Sequence, residues 1–286
     1  MLEKKLETAI EIAKIAGKVI LEFYGLEIIA EEKYGVDNFT EPVTVADRTA
    51  SKIIVGRLTE EFPEDAILSE EEKDDKQKRL ASDCVWIIDP LDGTRGFINQ
   101  DGDFAVQIGL AENGESVLGV VFLPFRKKLY YASQNNGAFL IENESLPKQL
   151  NASEITDFEK MTIAVSRNHR SPKMSRIHHK FQFKDEIRRG SVGLKVGLIA
   201  EKSADLYIHL SPRTKFWDTC APQIILEEAG GKLTDLFGEK IKYDLENVQN
   251  LNGILASNGT AHDETVNKLK PLLKEFKRLR VKSKTN

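Results

Sequence analysis

The segment Trp86-Ile87-Ile88-Asp89-Pro90-Leu91-Asp92-Gly93-Thr94 runs an apolar strand straight into two aspartates three residues apart. Strand ends are where a rigid scaffold presents functional groups. Pro90 fixes the local backbone and Gly93 permits an unusual one, so Asp89 and Asp92 can turn toward one point. Two carboxylates held together repel unless one is protonated or a cation lies between them. Hard oxygen donors at this spacing suit Mg²⁺ or Mn²⁺. The same spacing also fits a plain Asx-type turn with both aspartates in water. Two further acidic sites carry similar ambiguity. Leu68-Ser69-Glu70-Glu71-Glu72 reads by itself as a solvated helix start, and Trp217-Asp218-Thr219-Cys220-Ala221-Pro222 reads by itself as a helix N-cap at Asp218. Asp47, read alone, is an exposed helix carboxylate.

Elements able to position these groups are legible on both sides of them. Leu6, Ile10, Ala13, Ala16, Ile20 and Tyr24 form one apolar face of a helix spanning roughly 2–24. A second helix covers about 45–62 and stops before Pro63. CVWIIDP, FAVQIGLAE, ESVLGVVFLPF, KLYYAS and GAFLI read as strands separated by Gly/Asn turns, an antiparallel meander flanked by the two helices. After residue 151 the pattern becomes alternating: MTIAVS, DLYIHL, GKLTD and NGILASN as strands, and SVGLKVGLIAEKSA, TCAPQIILEEAG and HDETVNKLKPLLKEF as helices. The expectation is two lobes sharing one interface, 1–150 with most of the acidic groups and 151–286 as an α/β lobe carrying Asp218. The closing KRLRVKSKTN reads as a basic, solvated tail or as a phosphate contact.

Bulk properties exclude several classes. The chain has 286 residues, a net charge of −4 and an ordinary globular composition. There is no global basic footprint for nucleic acid and no apolar run long enough to span a bilayer. The two cysteines, Cys84 and Cys220, have no CxxC spacing, which argues against a zinc site or disulfide framework and suits a reducing cytoplasm.

In combination the acidic segments carry more than each does alone. Glu-Pro-Val-Thr-Val-Ala-Asp (41–47), Ser-Glu-Glu (69–71), Asp-Pro-Leu-Asp-Gly-Thr (89–94), Trp-Asp (217–218) and Glu-Ala-Gly-Gly (228–231) occur in that order. This series resembles the inositol monophosphatase superfamily over most of the chain, with Ser69 standing where the family more often has Gly. The resemblance implies an α/β fold of alternating α-β-α-β-α layers, of the inositol monophosphatase and fructose-1,6-bisphosphatase type, and an Mg²⁺-dependent phosphomonoesterase. It implies that Glu70, Asp89 and the Leu91 carbonyl hold one ion, that Asp89, Asp92 and Asp218 hold a second, and that Glu70 serves a looser third through waters. A water between the ions would be the nucleophile, its pKa lowered by the metal. Thr94 and Asp47 would orient and help deprotonate it. The amides of Gly93 and Thr94 would hold the phosphate.

The leaving group is a separate question. Trp-Asp-Thr-Cys-Ala-Pro (217–222), Ser166-Arg167-Asn168-His169 and Gly190-Ser191-Val192-Gly193-Leu194-Lys195 resemble the 3′(2′),5′-bisphosphate nucleotidase branch. Arg167, His169 and Lys195 would then grip a second, unreacted phosphate, with Ser166, Gly190 and Ser191 beside them. Read without the resemblance, His169 and Arg170 are solvated loop residues and Lys195 a helix-surface lysine. The expected substrate is 3′-phosphoadenosine 5′-phosphate, cleaved to AMP, and the alternative is an inositol monophosphatase or a related sugar or histidinol phosphatase. A monomer or homodimer acting on a small phosphate ester is expected, with no nucleic-acid or membrane partner.

Overall fold

The computed structural model describes residues 2–27, 30–34, 40–167 and 171–282. Five layers follow one another. Helices α1 (Leu2–Phe23) and α2 (Val45–Glu61) cover one face of a seven-stranded sheet, and a short antiparallel hairpin, β1 (Glu31–Tyr34) with β2 (Thr40–Val43), precedes α2. That sheet takes its strands in chain order. They are β3 (Ala66–Ser69), β4 (Cys84–Asp92), β5 (Ala105–Glu112), β6 (Glu115–Leu123), β7 (Lys128–Ser133), β8 (Ala138–Glu142) and β9 (Lys148–Gln149). All neighbours are antiparallel except β3 and β4, which are joined through the short helix α3 (Lys76–Ala81) and run parallel. Another short helix, α4 (Thr94–Ile98), follows β4.

A five-stranded sheet of β10 (Thr162–Ser166), β11 (Asp185–Arg189), β12 (Leu206–His209), β13 (Lys232–Thr234) and β14 (Ile254–Ser257) has the order β11-β10-β12-β14-β13. Helices α6 (Val192–Ala200) and α7 (Phe216–Glu228) fill the space between the two sheets, and α5 (Pro172–Phe181) and α8 (His262–Glu275) close the far side.

Side-chain alternation builds these layers. Along β4, Trp86 and Ile88 enter the α1/α2 core while Val85 and Ile87 enter the α6/α7 core. Along β14, Ile254 and Ala256 face α6/α7 and Leu255 faces α5/α8. Such strands are apolar on both faces because both faces are covered. α6 is buried at every position from Val192 to Ala200, as a helix between two sheets must be.

α7 crosses the large sheet over Gly109 and Gly119, which sit directly opposite each other on β5 and β6. A Cβ on Gly109 would meet Cys220 Sγ and the Ala221 nitrogen, and one on Gly119 would meet the Ala221 carbonyl. The pair forms a notch that only two missing side chains can open.

Several elements differ from the sequence expectation, which marks none of β1, β2, β3, α3, α4, β9, α5 and β11. α5 is polar in composition, yet Met174, Ile177 and Phe181 recur at helical spacing behind the Ser171 cap and Pro172, so its signal is present. β11 (Asp-Glu-Ile-Arg-Arg) is an edge strand whose charges suit its exposed side. The aspartate pair does not sit in a turn, because β4 continues through Pro90 to Asp92.

On the α5/α8 side, His262 is fully buried, with Nε2 2.9 Å from Thr234 Oγ1 and Nδ1 2.7 Å from Ser257 Oγ. Burial, with Lys232 nearby, lowers its pKa to about 4. The folded protein therefore resists a proton that the unfolded chain takes up at pH about 6.5. Stability is whole above that value and is lost as pH falls toward 4, by about 3 kcal/mol from this group. Urea midpoints of the parent and His262→Gln between pH 7 and 4 should show a shallower fall in the variant; parallel curves would refute this.

Candidate active site

Asp89 and Asp92 are an odd number of residues apart, so in a regular strand they would face opposite sides of the sheet. The register with β5 shifts between them: Asp89 pairs with Gln107 and Asp92 with Ala105. The extra residue is a β-bulge, and it returns Asp92 to the face of Asp89, with Leu91 between them in the α1/α2 core. Pro90 is tolerated because β3 pairs with β4 only as far as Ile88.

Asp218 arrives from the opposite layer, in the first turn of α7, where its Oδ2 accepts the Lys215 amide at 2.6 Å. It is thus a capping residue three positions inside the helix rather than the N-cap itself, and its other oxygen is left for another partner. Ligand oxygens of Asp89, Asp92 and Asp218 all lie within 4.8 Å of one another. Burial is the main influence raising the pKa of each of the three. Next comes the charge of Glu70 for Asp89 and of Asp92 for Asp218, while at Asp92 the nearby Lys195 opposes the rise. Two buried carboxylates and a partly buried third at this separation fit a hard divalent cation, whose charge would oppose those shifts.

Asp92 is held by Ser191 Oγ at 2.5 Å and the Gly193 amide at 2.9 Å. Ser191 also caps α6, accepting from the Leu194 amide at 3.0 Å. Asp47 repeats the Asp218 arrangement at the start of α2: its Oδ2 accepts from the Thr44 amide at 2.8 Å and the Thr44 hydroxyl at 2.6 Å. Its Oδ1 receives the Thr94 hydroxyl at 3.0 Å, so the Thr94–Asp47 pair read from the sequence is in contact. The Thr94 hydroxyl also lies 3.2 Å from the Leu91 carbonyl. Gly93 has φ of 94° and packs its α-carbon against the Asp103 carbonyl, which leaves no space for a side chain.

Glu70 stands at the edge of this group rather than within the three-carboxylate cluster. Its Oε1 accepts from Lys33 Nζ at 2.7 Å, and Lys33 also pairs with Glu71. Glu70 borders two adjoining cavities. The smaller, about 220 Å³, contains Asp89, Asp92, Gly93 and Thr94. The larger, about 670 Å³, extends toward α5 and the loop entering α7. Ser166 and Arg167, at the end of β10, border both.

The expected second-phosphate set is not assembled as the sequence implied. Arg167 pairs with Asp101 at 2.8 Å and with Asp103. Lys195, expected as a direct phosphate contact, is instead 1% exposed and borders neither cavity. On a helix buried all round, its ammonium folds back to donate to the Gly190 carbonyl and, at 2.7 Å, to the Ser191 carbonyl. Burial lowers its pKa to about 8, against the pull of Asp92, Asp103 and Asp218. Gly190 donates its amide to Asp103 at 3.0 Å. His169 lies outside the described residues.

Sequence reasoning missed the fully buried Asp103, which binds Arg126, Arg167 and the Gly190 amide. The signal was Asp101-Gly102-Asp103, two acids about a glycine just after the metal-like motif. It also missed Lys173 and Arg188, cations on the wall of the larger cavity. No described helix is long and apolar enough to cross a membrane.

Residues 1–274 match the model of the inositol monophosphatase family. A 3′(2′),5′-bisphosphate nucleotidase CysQ of Salmonella typhimurium is 33% identical over 240 residues, 83% of this chain and 93% of the relative. An inositol-1-monophosphatase of Bacillus subtilis is 32% identical over 235 residues, 79% of this chain and 82% of the relative. Among solved structures, CysQ of Bacteroides thetaiotaomicron superposes with a TM-score of 0.74 at 31% identity, covering 90% of this chain and 97% of that one.

Proposed function

The chain belongs to the inositol monophosphatase family, a phosphoric monoester hydrolase by that kinship, and on this premise we propose that it is an Mg²⁺-dependent enzyme removing the 3′-phosphate of 3′-phosphoadenosine 5′-phosphate. The observation that carries the reading is the convergence of Asp89, Asp92 and Asp218 at the end of a cleft large enough for a nucleoside.

Asp89, Asp92 and Asp218 would hold Mg²⁺, with Glu70 and the Leu91 carbonyl beside them; Mn²⁺ suits the same donors. Ions held there would supply positive charge and lower the pKa of a bound water. The chain's own residues supply the rest. Thr94 gives its proton to Asp47, which leaves the hydroxyl oxygen's lone pairs to receive a proton from that water. The amides of Gly93 and Thr94 would hold the phosphate. Ser191 and the Gly193 amide keep Asp92 aimed into the site. Lys195 acts beneath the cleft, holding the Gly190–Ser191 backbone.

Kinship with the CysQ nucleotidases supports the bisphosphate substrate, and so do the cations along the cleft, Arg167, Lys173 and Arg188. Arg167 and Arg188 already pair with carboxylates, Asp101 and Asp103 for the first and Glu186 for the second, so a distal phosphate would share or displace those pairs. The inositol monophosphate reading keeps one supporting observation, the engagement of Arg167 by Asp101 and Asp103. The two readings separate on kcat/KM for 3′-phosphoadenosine 5′-phosphate, 3′-AMP and inositol 1-phosphate at one Mg²⁺ concentration. One charge-assisted contact to the distal phosphate should favour the bisphosphate over 3′-AMP by roughly 10–100-fold. Equal values for those two would remove the distal-phosphate argument, and preference for inositol 1-phosphate would replace the substrate.

A further inference from the structure

Lys277-Arg278-Leu279-Arg280-Val281-Lys282 reads from its composition as part of a solvated tail, but the fold ties it down. Arg278 donates through Nη1 to the Leu210 carbonyl and through Nη2 to the Leu251 carbonyl, the latter at 3.1 Å. Val281 exchanges two hydrogen bonds with the Asn252 side chain, at 2.8 and 3.0 Å. Arg280 pairs with Glu239 at 3.1 Å.

The two carbonyls held by Arg278 belong to different loops. Residues 210–215 leave β12, form a wall of the larger cavity, which Arg278 itself also borders, and lead into α7 and Asp218. Residues 247–253 run beside them. Near α7 the loops are laced together: the Asn250 amide donates to the Thr214 carbonyl at 2.8 Å, its side chain to the Lys215 carbonyl at 2.9 Å, and the Phe216 amide to the Val248 carbonyl at 2.9 Å. Arg278 joins them at the Leu210 end of the first loop and, in the second, one residue past Asn250, at Leu251. A guanidinium suits this work because its planar fork reaches two acceptors at once and stays charged.

We infer that Arg278 is a positioning residue, a clasp that fixes the 210–215 wall of the cleft and so seats the part of the substrate beyond the phosphate being cleaved. The kinetic consequence rests on the proposed function; the clasp itself does not. A small ester reaches only the carboxylate end and gains nothing from the wall, whereas a nucleotide lies along it.

The test uses the full chain with Arg278→Ala and Arg278→Lys. Hydrogen–deuterium exchange is followed in peptides covering 210–215 and 247–253, and kinetics are measured with 3′-phosphoadenosine 5′-phosphate and p-nitrophenyl phosphate in Mg²⁺. Arg278→Ala should speed exchange in both loops by about tenfold or more as local opening becomes easier. It should raise KM for the nucleotide about tenfold, keep kcat within about threefold, and leave p-nitrophenyl phosphate within about twofold. Arg278→Lys, with one donor group and no fork, should fall between Ala and the parent on both readouts. Unchanged exchange overturns the clasp, including the case in which nucleotide KM still rises through a lost direct contact. Equal losses on both esters with a lowered Tm would make Arg278 a residue of general stability and overturn the positioning role. A parent that leaves the nucleotide uncleaved would instead refute the substrate, while the exchange result still decides the clasp.

Discussion

Asp89→Asn should abolish phosphate release, by at least about 10³-fold at saturating Mg²⁺, and should at the same time raise the melting temperature of the metal-free protein. Both effects come from one geometry. Asp89 is 2% exposed, with the charges of Glu70, Asp92 and Asp218 acting on it. A carboxylate whose pKa is raised by folding stabilises the protein only while protonated. Its contribution is present at low pH and is lost as pH rises through the raised value. At neutral pH without metal the cluster therefore opposes folding, and a neutral amide of the same shape relieves it. Relief of about 1 kcal/mol corresponds to roughly 2–4 °C in a chain of this size. The parent should gain thermal stability on adding Mg²⁺, because an ion that binds only the folded state stabilises it by mass action. The variant should gain little. Melting curves in chelator and in Mg²⁺, beside a phosphate-release assay, read all of this. Activity near that of the parent, or a lower melting temperature in chelator, would remove Asp89 from the metal site.

Thr94→Ala should lower kcat by about 10²–10⁴-fold, the usual worth of a positioned proton acceptor, and leave KM within about threefold. The Thr94 hydroxyl is 3.0 Å from Asp47 Oδ1, and the other Asp47 oxygen is fixed by two bonds from Thr44. Asp47 thus has one direction left in which to act. Its pKa is raised chiefly by burial, against the hydrogen bonds from Thr44 and Thr94, which makes it a better proton acceptor than a surface aspartate. Thr94→Ser preserves the hydroxyl and should retain most of the rate. If Thr94→Ala altered KM alone, Thr94 would be a substrate contact and Asp47 a helix cap.

The layered fold was legible in local periodicity, whereas the acidic residues that the fold brings together were legible only in combination, through the resemblance their series carries. Period-two and period-3.6 runs marked most strands and helices. Three features were out of reach for a physical reason. The bulge at Pro90–Leu91 depends on the register of β5, which lies beyond the segment itself. The burial of Lys195 depends on α6 being enclosed by two sheets, so a lysine that looks like a surface residue turns inward to its own helix start. β11 is polar because it occupies a sheet edge, where apolar periodicity weakens, whereas α5 carried a legible signal in Met174, Ile177 and Phe181. Asp103 was legible only as a charge near glycine; its role required three partners from distant segments.

The glycine notch on β5 and β6 bears on how this scaffold can diversify. Asp218 sits one helical turn before Ala221, and Ala221 rests by its backbone against Gly109 and Gly119. The separation between Asp218 and the β4 aspartates is therefore gauged by main-chain contact and interstrand spacing. The Cys220 and Ile224 side chains pack into the same notch. Residues along the cleft, from Arg167 to the 210–215 loop, lie outside that gauge and can be exchanged while the carboxylates keep their distances. The notch makes reaction chemistry and leaving-group choice separable modules, so that one hydrolytic centre can be refitted for a new ester by rewriting its rim.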